Sequence, residues 1–204
     1  MSRLGGTASD LFARMQRNDP ELLDLYTAQT DQEFEKAFEV LLEKAIDSLE
    51  RDKKNLSDLN EDGLTGYLVT ALNMTGLTAT RETNSNGHVD ITIDAGFFTP
   101  MRKKLGEAKI YDGPAYHVEG LKQLLGRYTT GREGRGLLVT YVKRANIAGL
   151  MRKIRDKMDA NRPLKQKGKT QDHSLRWSFI SIHRHSCGDD LQVGHIGCNL
   201  HVES

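Results

Sequence analysis

Apolar positions recur every three or four residues through the early part of the chain. Leu22, Leu23, Leu25 and Tyr26 open a helical stretch over residues 20–50. Phe34, Ala37, Phe38, Leu41, Leu42, Ala45, Ile46 and Leu49 extend it as one stripe, the period of an amphipathic helix. Asp31 ahead of Phe34 and Glu35 offers a fresh start, so the stretch reads as one helix or two. It carries packing or oligomerisation rather than chemistry. Asn60 before Glu61 and Asp62 reads as an N-cap with acids in the first turn, which suits the orphan N–H groups and positive end of a helix. Leu64, Tyr67, Leu68, Ala71 and Leu72 then predict a helix ending near Gly76.

The period changes from there on. Thr78–Glu82 predicts a strand, and Asn84-Ser85-Asn86-Gly87 a turn, because Asn and Gly tolerate positive φ. His88–Asp94 alternates, with Val89, Ile91 and Ile93 expected on one face and Asp90 on the other. Lys104–Ile110 is a further strand, stopped by Gly113-Pro114. His117–Tyr128 is helical, Gly136–Val142 is β-rich, and Ala145–Ala160 is a basic amphipathic helix. A polar loop follows over 161–172. Trp177–His183 and Leu191–His201 predict strands joined across Gly188-Asp189-Asp190. The expected architecture is α/β: a mixed sheet flanked by helices over residues 57–204, preceded by a helical extension over 1–56. No Gly-rich nucleotide loop is present.

Composition narrows the class. The chain has 204 residues, 37% hydrophobic, with 19 glycines, within the range of ordinary globular domains. No apolar run approaches the ~18 residues of a membrane helix. Residues 1–20 contain Asp10 and Asp19 and lack an apolar centre, so no secretory leader is expected. Two cysteines, Cys187 and Cys198, do not make a disulfide framework. The expectation is a cytoplasmic protein with no membrane partner.

Charge is segregated. Residues 1–62 hold 15 acidic and 8 basic residues, and the remainder 13 and 21. Between Lys143 and Lys169 there are 10 basic residues against Asp156 and Asp159. Such a split suits an anionic partner for the later part or packing of one part on the other. Lys143, Arg144, Arg152, Lys153, Arg155 and Lys157 are the candidate phosphate contacts.

The candidate chemistry lies in Glu61, Asp90, Glu107 and Lys109. Glu107 and Lys109 are two apart on a strand and so share a face. Pairing of the two strands would set Asp90 beside Glu107. Two carboxylates that close repel unless a cation lies between them, and a hard divalent ion accepts such oxygen ligands. Lys109 could then act on an attacking water or on phosphate charge. Glu61, at a helix start, could add a third carboxylate.

This order of residues resembles the PD-(D/E)xK nuclease superfamily, over about residues 57–160. That family has a helix bearing Glu, strands bearing Asp and Glu-x-Lys, then helix, strand and helix. Glu61, Asp90, Glu107 and Lys109 match in order, with Val89 where the family often has Pro. The resemblance implies a restriction-endonuclease-like fold and a metal-dependent endonuclease acting on DNA, RNA not being excluded. It implies Mg²⁺ (or Mn²⁺) on Asp90 and Glu107, with Glu61 ligating directly or through water, and Lys109 assisting attack. Restriction, repair or anti-phage defence would be the setting, and a homodimer or larger homo-oligomer the assembly. One branch of the superfamily places Gln and Tyr four apart on the following helix. Here Gln123 fits, whereas Tyr128 is five residues on. An inactive module of the same fold, binding nucleic acid or a protein, is the alternative. A structural protein built on the helical extension is a third class.

His185, Cys187, His195 and Cys198 contain the residue types that hold zinc. A shared face for His183, His185 and Cys187 on a strand explains most of that pattern without metal.

Overall fold

A computed structural model describes residues 6–84, 88–95 and 102–203 of the protein. Among them are the helices α1 (Ala8–Asn18), α2 (Pro20–Thr27), α3 (Asp31–Arg51), α4 (Glu61–Met74), α5 (Pro114–Gln123) and α6 (Ile147–Asn161). The strands are β1 (Thr78–Asn84), β2 (His88–Ala95), β3 (Arg102–Ile110), β4 (Gly136–Val142), β5 (Gln171–Asp172), β6 (Phe179–Arg184) and β7 (Asp190–Asn199). They form one mixed sheet in the order β1-β2-β3-β4-β7-β6-β5. β3, β4 and β7 are parallel neighbours, and the outer pairs are antiparallel. The turn expected over Asn84–Gly87 falls largely on residues 85–87, outside the described residues.

The expected break at Asp31 is real. Thr30 accepts from the Glu33 N–H while Glu33 Oε2 accepts from the Thr30 N–H, so a capping box separates α2 from α3. Asn60 caps α4 by accepting from the Gly63 N–H at 2.9 Å. α1 was not legible as an element. Its own capping box, Thr7 with Asp10, starts it.

The sheet is covered on both faces, which is why β4 is a nearly unbroken apolar run. Leu137, Val139 and Tyr141 join the core beneath α2, α3 and α4. Leu138 and Val142 join the one beneath α5 and α6. Residues of α2 and α3 belong to the same cluster as α4 and the sheet.

The alternation of β2 departs from expectation at Asp90. Ile91 and Ile93 pack under α3 and α4, but Val89 packs in the opposite cluster. Regular pairing with β3 runs from Ala95↔Arg102 to Ile91↔Gly106. Beyond it the Ala108 N–H donates to Asp90 Oδ2 at 3.0 Å. A side chain has taken the place of a ladder carbonyl, and the side-chain parity changes there.

α5 is docked on the sheet through a row of buried polar groups. Thr140 Oγ1 lies 3.0 Å from His117 Nδ1, and His117 Nε2 lies 2.7 Å from His195 Nδ1. Ser181 Oγ is 2.7 Å from both His195 Nε2 and His183 Nε2. His183 Nδ1 ends the row at the Leu164 carbonyl, 3.1 Å away. Burial pushes His117 down to about 3, and His183 and His195 below the usual range. With neutral rings the terminal carbonyl decides every proton, because it can only accept. His183 donates to Leu164, Ser181 to His183, His195 to Ser181, His117 to His195, and Thr140 to His117.

Candidate functional site

Four expected residues meet where α4 begins and β3 ends. Glu61 is the first residue of α4. Its Oε1 accepts from Lys109 Nζ at 3.1 Å and its Oε2 from the Ile110 N–H at 2.9 Å. Lys109 also reaches Glu107 Oε1 at 2.6 Å. Asp90 holds the Ala108 N–H between them in sequence. Two carboxylates thus grip one ammonium and a third, Asp90, feels its charge, an excess of negative charge that a cation would offset.

Burial makes that excess costly. Glu107 is 1% exposed, and burial pushes its carboxyl up to about 7; the Lys109 hydrogen bond opposes the rise and the charge of Asp90 adds to it. Asp90 is raised too, chiefly by burial. Burial works against the Lys109 ammonium, but the bonds and charges of Glu107 and Glu61 outweigh it and hold the group above the usual range. Glu107 Oε2 is buried with no hydrogen-bond partner. A buried carboxylate oxygen left unpaired costs free energy unless something fills its place.

Two neighbours that sequence spacing did not single out shape the site. A Cβ on Gly120 would lie 3.0 Å from Lys109 Cγ, so α5 packs tightly on the lysine stem, which a larger residue there would push aside. Tyr116, exposed on the same helix, lies with its ring centroid 6.0 Å from Lys109 Nζ. Gln123 ends α5, with its Oε1 buried and unpartnered. Leu124–Tyr128 then form a π-helical turn, closed by the Thr129 N–H on the Leu124 carbonyl at 3.3 Å. Such a turn closes i→i+5 backbone bonds in place of i→i+4 ones.

The hard oxygen donors fit a hard divalent ion in part. Among the described residues no group of three or more His, Cys, Asp or Glu is arranged to hold a metal. Glu61 has both its oxygens engaged, by Lys109 and by Ile110. Asp90 and Glu107 are the pair that fits, and the orphaned Glu107 oxygen is the atom that would gain a partner. The four residues of zinc-binding type are not gathered into one site. His195 belongs to the buried row, Cys198 points into the opposite core, Cys187 is exposed and His185 meets Thr129.

The basic residues divide by role. Lys143 donates to the Ser57 and Leu59 carbonyls at 2.7 and 2.6 Å, and so holds the turn ahead of Asn60 and Glu61. Arg155 clamps Thr170 and Asp172. Arg144 pairs with Asp112 at the surface. Arg152, Lys153 and Lys157 lie exposed on α6. Among the described residues no helix is long and apolar enough to cross a membrane. Compared with protein-family models, curated proteins and solved structures, the chain matches none.

Proposed function

We propose that this protein is a metal-dependent phosphodiesterase acting on DNA, built on a restriction-endonuclease-like plan. The observation that carries the reading is the convergence of Glu61, Asp90, Glu107 and Lys109 at one strand end, with Glu107 Oε2 buried and unpaired. Asp90 and Glu107 would hold Mg²⁺ or Mn²⁺. When bound, such an ion supplies charge for the scissile phosphate and a more acidic water. Glu61 positions Lys109 and ties it to the β3 backbone. Lys109, held as an ammonium between carboxylates, offsets negative charge gathering on the phosphate. Gln123, whose Oε1 is buried and unpartnered, would be a polar contact for substrate. The exposed Arg152, Lys153 and Lys157 supply sequence-independent phosphate contacts.

One feature favours a second reading, an inactive nucleic-acid or protein-binding module. Lys109 is already matched by two carboxylates, a closed ion cluster that needs no substrate. Supercoiled plasmid separates the two. The nuclease reading expects nicked or linear product with Mg²⁺ or Mn²⁺ and none with EDTA. Retarded but intact plasmid in every lane favours the binding module.

A further inference from the structure

α1 is a helix without a core. None of its residues is buried. Ala8, Leu11, Phe12 and Met15 recur at three and four residues, and Leu11 and Phe12 are 59% and 52% exposed. A helix of 11 residues is marginal in water unless an apolar face is covered, since isolated helices need roughly 12–15 residues even with good formers. In its own chain α1 packs against α2, separated from it by Asp19 alone.

The surface that matches this stripe is on α2 and α3. Val40, 37% exposed, stands on a ridge of α3 between two grooves. One, of about 370 Å³, runs between α2 and α3 and is floored by Ala28, Ala37 and Val40. The other, of about 450 Å³, is lined by Ile46, Leu175 and Trp177. Acids outnumber bases around both grooves: Glu21, Asp24 and Glu33 against Lys36 in the first, Glu43, Asp47 and Glu50 against Lys44 and Arg176 in the second, and Asp24 and Glu43 are exposed. Arg14 and Arg17 on α1 are exposed as well. No side-chain ion pair joins Asp24, Glu43, Arg14 or Arg17 to a described residue.

From this match of apolar stripe to apolar ridge, and of unmatched arginines to unmatched carboxylates, we infer that α1 of one copy seats on the Val40 ridge of a second copy. The exchange is reciprocal. Each protomer offers the same helix and the same ridge, which closes a two-fold dimer and leaves no open end for growth. The phosphodiesterase reading is not needed for it.

Sedimentation at tens of micromolar full-length protein tests the assembly. The wild type should weigh twice 22.9 kDa. Phe12→Asp and Val40→Asp should each give monomer with an unchanged helical spectrum, because both side chains are exposed. Arg14→Glu with Arg17→Glu should weaken association several-fold at low salt, and adding Asp24→Arg with Glu43→Arg should restore it. A monomeric wild type overturns the inference. So does a Val40→Asp dimer, or a swapped chain that fails to recover. Co-sedimentation of the wild type with anionic phospholipid vesicles, lost in Phe12→Asp, would assign the stripe to a membrane surface and overturn it equally.

Discussion

Lys109 and Thr140 are register neighbours on β3 and β4, yet they belong to buried polar networks of opposite character. The row that starts at Thr140 is complete: each ring nitrogen and hydroxyl has a partner, every group is neutral, and the terminal carbonyl dictates every donor. The cluster around Lys109 is incomplete. It carries three carboxylates against one ammonium and leaves Glu107 Oε2 without a partner. A fully satisfied network stabilises and specifies the packing around it. An unsatisfied, charged one costs stability, and such sites gather where chemistry is done. The row is also no proton relay, because moving its protons one place would protonate a backbone carbonyl. Its contribution is to seat α5, whose Gly120 packs on the Lys109 stem.

The sharpest way to break this contrast is to cut each network and see which property fails. Asp90→Ala should lower single-turnover cleavage by about 10²–10⁴, the range for a lost catalytic group or electrostatic stabiliser. Its melting temperature without metal should fall only slightly, because the repelling carboxylate that has gone offsets the Ala108 N–H left without its acceptor. A cleavage rate equal to wild type would put the chemistry elsewhere.

Ser181→Ala should do the reverse. It strands His183 Nε2 and the His195 Nε2–H in the core, at about 1–3 kcal/mol each. Chemical denaturation should show the loss, while cleavage by the folded fraction stays near wild type. If Ser181→Ala instead loses turnover at full stability, the row belongs to the site.

pH sharpens the comparison, because the two networks slope in opposite directions. His117 falls from its ordinary value to about 3 on folding. Its contribution is therefore present above about pH 6.5 and is lost as pH falls toward 3, at up to about 1.4 kcal/mol per pH unit. Glu107 rises to about 7, so its contribution is present below about pH 4.5 and is lost as pH rises through 7. Glu107→Gln should accordingly exceed the wild type in stability at pH 8, with the gain gone near pH 4. A gain that grows toward acid would mean that burial does not govern this carboxyl.

How much of this was legible depended on sequence distance. Asn60, Glu61 and the Glu107-x-Lys109 pair carry their meaning locally, through a cap, a first helical position and a strand parity. The hairpin of β6 and β7 was local too. The change of face at Asp90 was not, because it depends on the Ala108 N–H of another strand. The polar row joins residues 117, 140, 181, 183 and 195, which only the sheet register assembles. The partners of the basic residues were not legible either: Lys143 and Arg155, candidate phosphate contacts by composition, also hold carbonyls and Thr170 and Asp172. α1 was not legible because the polar residues between Ala8, Leu11, Phe12 and Met15 dilute its stripe.

That division of the basic residues gives the smallest expected effect. Reversing Lys153 and Lys157 should weaken DNA binding across sequences and reduce the slope of log K against log salt by about 0.9 for each phosphate no longer neutralised. Arg155→Glu should lower thermal stability instead. Equal salt slopes for all three would contradict the assignment.

Calorimetric Mn²⁺ titration beside single-turnover cleavage, run on Lys109→Ala and Glu107→Ala, tests the central claim most directly. Lys109→Ala should keep metal and DNA binding and lose turnover, since its charge is needed chiefly in the transition state. Glu107→Ala should lose both metal affinity and turnover. If Lys109→Ala cuts at close to the wild-type rate while Glu107→Ala still binds Mn²⁺ normally, the pair is a structural ion bridge and the cluster is not a phosphodiesterase site.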